Sequence, residues 1–158
     1  MPSRLDIRPL AHDDEDALLH IHRTPEVVRW WGEPDADFPW DEPEGTRFTI
    51  EVDGAVAGLI QFWEETDPRY RHAAIDLFLE PSLHGQGLGT EAVRQIVRHL
   101  HEELGHHRIT IDPAADNAAA IRAYEKAGFR RVGVMRAYER DVEGEAWHDG
   151  VLIEVVLN

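Results

Sequence analysis

Short segments of alternating or continuous apolar residues predict the strands in the first half of the chain. Leu5–Arg8 alternates apolar and polar side chains, as a strand with one buried face does. Phe48–Val52 and Ala55–Trp63 are rich in β-branched and aromatic residues, and the Asp53-Gly54 pair between them is typical of a two-residue hairpin turn. A further, mostly apolar strand is predicted at Ala73–Leu79.

Apolar residues spaced three and four positions apart predict four helices. The strongest pattern belongs to Leu88–Leu104, where one face carries Val93, Ile96, Val97 and Leu100. The other predicted helices are Asp13–His22, Pro25–Trp31 and Asn117–Lys126. We expect Asp116 to cap the last helix and Gly128 to end it, because these residue types favour those positions.

Three later segments complete the predicted sheet. Arg108–Ile111, Phe129–Tyr138 and Val151–Leu157 are the remaining strands, and the turn between the last two is placed within Val142–Gly150. The order of elements contains neither a repeat nor a linker. We therefore predict one α+β domain over residues 1–158, built around a mixed sheet.

Composition narrows the class of protein. The hydrophobic fraction of 42% is ordinary for a globular domain. No stretch approaches the roughly 20 apolar residues of a membrane span, and no apolar run near the first residues resembles a signal peptide. The lack of cysteine excludes disulfides, thiolate nucleophiles and zinc sites built on cysteine. We expect a cytoplasmic protein without a membrane partner.

The charge balance points away from nucleic acid. The chain has 31 acidic and 16 basic residues, a net charge of −15, which repels phosphate backbones and attracts polycations. Solubility alone is the alternative explanation. Acidic residues concentrate in the segments 33–45, 64–67 and 141–145, near several of the five tryptophans.

A glycine-rich turn joins the strand at Ala73–Leu79 to the helix that follows. Residues 84–90 are His-Gly-Gln-Gly-Leu-Gly-Thr. Backbone N–H groups at the start of a helix are unpaired, and glycines let a pyrophosphate approach them closely. A plain strand-to-helix connection is the alternative. The spacing matches neither a dinucleotide fingerprint nor a P-loop.

Residues 77–89 resemble the acyl-CoA loop of the GNAT superfamily of N-acetyltransferases, with His84 where Arg or Gln is usual. A second segment, 117–129, resembles the downstream motif of the same superfamily, and the resemblance extends over nearly the whole chain. It implies a central, mostly antiparallel sheet of about seven strands with about four flanking helices. It also implies transfer of an acetyl group from acetyl-CoA to an amine, without a metal.

The resemblance implies a set of cofactor-binding residues. They are Phe78, Leu79, His84, Gly85, Gln86, Gly87, Leu88, Gly89, Thr90, Asn117 and Tyr124. A backbone N–H around Phe78–Leu79 would polarise the thioester carbonyl. Asn117 would contact the pantetheine arm, and Tyr124 would protonate the departing thiolate. For Tyr124 the alternative is an ordinary core residue.

Asp76 is the candidate general base. The attacking amine is protonated near neutral pH, so a carboxylate that accepts its proton is needed. Asp76 interrupts an otherwise apolar strand, where a charged residue is uncommon. An edge position or a structural partner is the alternative explanation.

A narrower resemblance links the chain to aminoglycoside 6′-N-acetyltransferases. It rests on Trp30-Trp31-Gly32-Glu33, the segments 63–68 and 75–76, the end of the glycine turn, and Ile111-Asp112-Pro113. The substrate-side residues that it implies are Trp30 or Trp31, Trp63, Glu64, Asp76 and Asp112. Aromatic faces and carboxylates suit cationic sugars. The alternatives are tryptophans that belong to the core, and a polyamine, a lysine side chain or a protein N-terminus as the substrate.

Two further classes of function were considered. The ten histidines suggest a metal site, but His20/His22 and His99/His101 are two residues apart on helices and point in different directions. His106-His107 has no matching carboxylate spacing, so we expect no metal. A non-catalytic acyl-CoA-binding module is disfavoured because both Asp76 and Tyr124 are present. Whether the protein is a monomer or a homodimer stays open.

Overall fold

A computed structural model of the protein describes residues 2–141 and 144–158. Seven strands form one sheet: β1 (Leu5–Pro9), β2 (Thr46–Val52), β3 (Ala55–Glu65), β4 (His72–Leu79), β5 (Arg108–Ile111), β6 (Arg130–Arg140) and β7 (Trp147–Val156). Four α-helices accompany it: α1 (Glu15–His22), α2 (Pro25–Trp31), α3 (Leu88–Arg98) and α4 (Ala118–Lys126). Within these ranges no helix has the length and apolar character needed to cross a membrane.

The sheet has the order β1-β2-β3-β4-β5-β7-β6. Its strand pairs are antiparallel except for β4 and β5, which run parallel. This arrangement confirms the predicted α+β fold with a mixed, mostly antiparallel sheet. The predicted Asp53-Gly54 hairpin is also confirmed, since both residues have positive φ angles of 53° and 83°, as a type I′ turn requires.

Three local predictions were wrong. The long helix is α-helical only to Arg98 and continues as a π-helical turn over His99–Glu103. Asn117 caps α4 instead of Asp116, because its side-chain oxygen accepts the N–H of Ala120 at 3.3 Å. The last strand begins at Trp147, four residues before the predicted start.

The early start of β7 has a physical reason. Trp147 and His148 pair with β6 at the exposed edge of the sheet, where neither face is buried and apolar alternation is lost. The turn is therefore shorter than the predicted segment 142–150. Positions 142 and 143 of that segment lie outside the described residues.

Two apolar clusters cover the two faces of the sheet. One cluster packs α3 and α4 against the face that carries Ile75 and Leu77. The other packs α1 and α2 against the face that carries Leu59 and Phe78. Strand β4 is therefore buried on both faces, which explains its nearly continuous apolar sequence.

The parallel pairing of β4 with β5 is short. It joins Ala73 to Ile109 and Ala74 to Thr110, whereas β4 stays paired with β3 along its whole length to Leu79. Beyond Ala74 the two parallel strands diverge. The sheet therefore opens in its middle, beside the second half of β4.

A buried carboxylate fixes β1 to the start of α1 and to β2. Asp14 accepts hydrogen bonds from the guanidinium of Arg8 at 2.7 and 2.8 Å, from the hydroxyl of Thr49 at 2.7 Å and from the N–H of Ala11 at 2.9 Å. The Arg8 guanidinium and these further donors hold the pKa of Asp14 well below its usual range.

We expect Asp14→Asn to lower the free energy of unfolding by about 2–4 kcal/mol at pH 7, because it leaves the guanidinium of Arg8 without its buried partner. A lowered pKa stabilises the fold above the unfolded-state pKa of about 3.9, and this stabilisation is lost as the pH falls. The difference between wild type and variant should therefore shrink below about pH 4 in urea titrations. Asp6→Asn, which removes an exposed pair with Arg4, is the matched control and should cost no more than about 1 kcal/mol.

Candidate active site

A cleft of about 730 Å³ occupies the opening between β4 and β5. The second half of β4 and the glycine turn form one wall, α4 forms another, and residues from α2 and from 111–114 close the far side. The cleft is large enough for an extended small molecule. Most of the motifs found in the sequence lie around this one cavity.

Strand β4 presents backbone groups to this cleft. The N–H of Glu80 donates to the carbonyl of Ala57 on β3 at 2.7 Å. Because the backbone groups of a strand alternate between its two edges, Leu77 and Leu79 turn theirs toward the cleft. The N–H of Leu77 donates to the carboxylate of Asp76 at 2.9 Å. Of the predicted pair Phe78 and Leu79, it is Leu79 whose N–H faces the opening.

The glycine turn ends in the first turn of α3. Gly85 and Gly87 have φ angles of 78° and 79°, a left-handed conformation that residues with a Cβ rarely adopt. Gly87 is the N-cap, and its carbonyl accepts the N–H of Glu91 at 3.1 Å. The N–H groups of Leu88 and Gly89 precede this first helical bond, so they have no partner within the helix. This geometry suits an anion.

Several predicted cofactor residues use their side chains elsewhere. The Nε2 atom of His84 lies 3.0 Å from the carbonyl oxygen of Leu79, and Gln86 donates to the carbonyl of Ser82 at 3.2 Å. The hydroxyl of Thr90 donates to the carbonyl of Ala123 on α4 at 2.9 Å, and the side chain of Leu88 is buried in the core. What these residues offer a phosphate is therefore their backbone.

Asn117 and Tyr124 both lie on α4 and line the cleft. Tyr124 is buried and belongs to the larger apolar cluster, so the core alternative is correct for its ring while its position also meets the cleft. Burial, followed by the nearby carboxylates of Asp76 and Asp112, raises the pKa of Tyr124 above its usual range. The phenol is therefore held in its protonated form and can act as a proton donor.

Asp76 lines the cleft from the middle of β4. Burial, with smaller contributions from Asp112 and Glu139, raises the pKa of Asp76 to about 7, against the opposing effect of the Leu77 N–H. Among the described residues Asp76 has no ion-pair partner within 4.0 Å and bonds only the N–H of its neighbour. A structural salt bridge does not explain this carboxylate. A base with a pKa near 7 is suited to proton transfer at neutral pH.

The far wall of the cleft is acidic. Asp112 and Glu139 line it, and Asp112 accepts the hydroxyl hydrogen of Tyr138, which raises the pKa of that phenol to about 12. Burial and Asp112 raise the pKa of Glu139. A second cavity of about 230 Å³ shares these carboxylates with the cleft and adds Asp141 and Asp149.

Tyr138 and Glu139 escaped the sequence analysis. They lie beside Ala137, which has a positive φ angle of 48°, where the register between β6 and β7 shifts. Such a bulge re-aims the side chains next to it. Its position cannot be read from the composition of the strand, and the adjacent Tyr-Glu pair was the only signal.

Of the predicted substrate residues, Trp30, Trp31, Asp76 and Asp112 line the cleft. Trp63 and Glu64 do not, because they pair with Ala74 and Ala73 at the opposite end of β4. Glu64 instead lies 2.7 Å from the Nε2 atom of His106, a fully buried histidine. This contact joins residues 42 positions apart, which is why the local spacing around His106 did not reveal it.

None of the five tryptophans is fully buried, but Trp31 packs against the smaller apolar cluster, so the core alternative is correct in part for that residue. Trp30, Trp31 and Trp63 are half-buried, and Trp40 and Trp147 are exposed. Trp31 packs edge-on against Phe78 with 5.0 Å between ring centroids. This contact fixes one wall of the cleft against β4.

The acidic segments contribute little to the cleft. The segment 33–45 is tied back by Arg47, whose guanidinium lies 2.6 Å from Asp41. None of its described residues and none of 64–67 lines the cleft, whereas Asp141 reaches the second cavity. The acidity of the cleft comes instead from single carboxylates on separate elements.

The histidines that are buried bond protein groups. The Nε2 atom of His22 lies 2.9 Å from the carbonyl of Gly32, and that of His106 lies 2.7 Å from the carboxylate of Glu64. Within residues 2–141 and 144–158, no three His, Asp or Glu side chains come together in a way that could hold a metal ion. The sequence-based expectation of a metal-free reaction stays a prediction.

Known proteins share this fold and these motifs. A family model described as an acetyltransferase (GNAT) domain matches residues 4–130. The aminoglycoside N(6′)-acetyltransferase type 1 of Klebsiella pneumoniae is 46% identical over 153 residues, covering 82% of this chain and 75% of the relative. The spermidine N(1)-acetyltransferase of Escherichia coli K12 is 28% identical over 162 residues, covering 94% and 80% of the two chains.

A solved structure agrees with these relatives. The crystal structure of aminoglycoside acetyltransferase AAC(6′)-Ib with coenzyme A and kanamycin superposes with a TM-score of 0.79 and 28% identity, covering 97% of this chain and 95% of that one. The chain belongs to the GNAT acetyltransferase family and is an acetyl-CoA-dependent N-acetyltransferase.

Proposed function

We propose that this acetyltransferase modifies a primary amine of an aminoglycoside, at the 6′ position. The observation that carries the proposal is the meeting of two surfaces in one cleft. An acyl-CoA-binding edge, formed by β4 and the start of α3, faces a wall of aromatic rings and carboxylates. Trp30 and Trp31 supply flat faces for a sugar or an ammonium group, and Asp112 and Glu139 supply the negative charge.

The residues of β4 and α3 bind and orient the acyl donor. The N–H groups at the start of α3 suit the pyrophosphate, and the open edge of β4 suits the amide groups of pantetheine. We assign Asn117 to the pantetheine arm as well. The site residues fit acetyl-CoA without a cluster of basic side chains, because backbone N–H groups carry out the anion binding.

The transfer itself needs one base, one acid and one oxyanion donor. Asp76 accepts a proton from the substrate ammonium, directly or through water, and the free amine attacks the thioester carbonyl carbon. The N–H of Leu79 stabilises the charge that develops on the carbonyl oxygen. The carbon–sulfur bond then breaks, Tyr124 gives its proton to the departing thiolate, and the resulting phenolate takes the extra proton of the new amide, directly or through water.

A polyamine is the second candidate substrate. The relative that acts on spermidine supports it, and the same carboxylates would bind its ammonium groups. The higher identity of the aminoglycoside relative and the two tryptophan faces favour an aminosugar. A protein lysine or N-terminus stays a further alternative. The cytoplasmic location and the choice between monomer and homodimer stay predictions from the sequence.

Purified protein is expected to release CoA from acetyl-CoA in the presence of kanamycin or tobramycin, with a kcat/KM at least about tenfold above that for spermidine. Thiol release measured with a chromogenic reagent checks this, and mass spectrometry of the product locates the acetyl group. Release of CoA with spermidine or a peptide, and none with any aminoglycoside, would refute the proposal that the substrate is an aminoglycoside. Stabilisation by acetyl-CoA without transfer to any amine would favour a non-catalytic binding module.

Asp76→Asn is expected to lower kcat about 100-fold or more while leaving the Kd of acetyl-CoA within about twofold, because the amide cannot accept a proton. In the wild type, kcat/KM should rise with pH up to about 7, where the Asp76 carboxyl ionises, and the variant should lose this limb. The control is Asp67→Asn, outside the cleft. An unchanged kcat in Asp76→Asn would remove this residue from the mechanism.

Tyr124→Phe is expected to lower kcat about 10- to 100-fold, since the thiolate then leaves without its proton donor. No described residue bonds the Tyr124 hydroxyl, so the thermal stability of this variant should stay close to that of the wild type. Tyr70→Phe, at a tyrosine that is 65% exposed, is the matched control. A steeper dependence of kcat on the pKa of the leaving thiol, measured with acyl donors of different thiol pKa, separates proton donation from packing.

A further inference from the structure

An arginine occupies the aromatic wall of the cleft. The guanidinium carbon of Arg29 lies 4.4 Å from the centroid of the Trp30 ring, within the range of a cation–π contact. Both residues line the cleft and also the second cavity. The positive charge of Arg29 therefore lies on the ring face that we assign to the substrate.

Helix geometry does not force this contact. Arg29 and Trp30 are consecutive on α2, and consecutive helical side chains diverge by about 100°. The long side chain of Arg29 must fold back across the helix surface to cover the ring. Among the described residues it has no ion-pair partner within 4.0 Å, so no salt bridge holds it there.

The surroundings of Arg29 are acidic. Three carboxylates line both cavities together with it, namely Asp112, Asp116 and Glu139. Glu26 and Asp76 line the cleft alone, and Asp141 and Asp149 line the second cavity alone. A substrate ammonium group would be drawn to the same place by the same forces, the ring quadrupole and the carboxylates. Arg29 and the substrate cation therefore compete for one site.

We propose that Arg29 is a built-in competitor that determines substrate specificity: it occupies the face of Trp30 in the free enzyme and must be displaced by an ammonium group of the substrate. This inference rests on the proposed function only in requiring a cationic amine as the substrate. Displacement lowers the affinity for every cation. It favours substrates with several ammonium groups that also reach the carboxylates of the second cavity. In these substrates the additional ion pairs offset the loss of the contact between Arg29 and Trp30.

The test compares Arg29→Gln, Arg29→Lys and wild type. Arg29→Gln removes the competing charge and should lower the KM for kanamycin or spermidine, whichever is turned over, about three- to tenfold, with a smaller change in kcat. Arg29→Lys keeps a charge that stacks less well and should fall between the two. The difference should diminish as salt is raised from about 20 to 300 mM, since screening weakens the repulsion.

Arg23→Gln is the matched control. Arg23 is exposed at the end of α1, outside both cavities, and its loss changes the net charge by the same amount. Equal effects of Arg23→Gln and Arg29→Gln would overturn the proposal, as they would show a long-range charge effect. A raised KM in Arg29→Gln would also overturn it, because Arg29 would then be holding a substrate oxygen.

Calorimetry keeps this test separate from that of the proposed function. Binding of kanamycin and of spermidine to the protein–CoA complex needs no turnover, so the effect of Arg29 on binding can be measured separately from acetyl transfer. Failure of wild type to acetylate aminoglycosides, with tighter spermidine binding in Arg29→Gln, would refute the aminoglycoside proposal and support the role of Arg29. Aminoglycoside turnover with unchanged binding in Arg29→Gln would support the aminoglycoside proposal and refute the role of Arg29.

Discussion

The divergence of β4 from β5 is the constraint on which the site depends. Two parallel strands in the middle of a sheet are bonded at Ala73 and Ala74 and then separate, which leaves peptide groups of β4 facing a cavity. A Cβ at Gly58 would lie 2.2 Å from the carbonyl oxygen of Phe78, so only glycine permits the close contact that holds β4 on β3. Among the described residues the N–H of Leu77 bonds Asp76 and the carbonyl of Leu79 faces Nε2 of His84, so the N–H of Leu79 is the group left for a ligand, and we propose that a carbonyl of the acyl donor accepts it.

Burial within this opening acts on both groups to which we assign proton transfer, Asp76 and Tyr124. Removal from water disfavours a negative charge on Asp76 and on Tyr124 alike, and each also feels the carboxylate of Asp112. The same environment raises the pKa of the Asp76 carboxyl to about 7, so that it can accept a proton near neutral pH. It keeps the Tyr124 phenol protonated, so that the phenol can donate a proton. One physical cause therefore raises the pKa of both groups, and the acidic wall of the cleft strengthens it.

Much of this arrangement follows from the sequence, because its signals are local. Apolar periodicity predicted the strands and helices, and the glycine turn with the segment 117–129 indicated the acyl-CoA site through their resemblance to a family. Asp76 was identified separately, as a charged residue in an otherwise apolar strand. The acidic wall was harder to predict. Glu139 enters the cleft through a bulge at Ala137, and Glu64 leaves the substrate set because strand register places it at the wrong end of β4. Register and bulges depend on contacts between distant segments, which a single sequence does not display.

The charged residues of the cleft are distributed unevenly between its walls, so the net charge of −15 is a poor guide to the ligands of this protein. If an anionic cofactor and a cationic substrate share one cleft, as we propose, their surroundings must differ. Hydrogen bonds from Thr90 and Arg94 to the carbonyls of Ala123 and Lys126 hold the end of α4 beside the first turns of α3. Lys126, the single lysine of the chain, and Arg122 thus line the cleft on the side of the glycine turn. The carboxylates of Asp112 and Glu139 lie on the opposite wall, and Asp76 lies on the strand between them, where the two ligands must meet for transfer to occur.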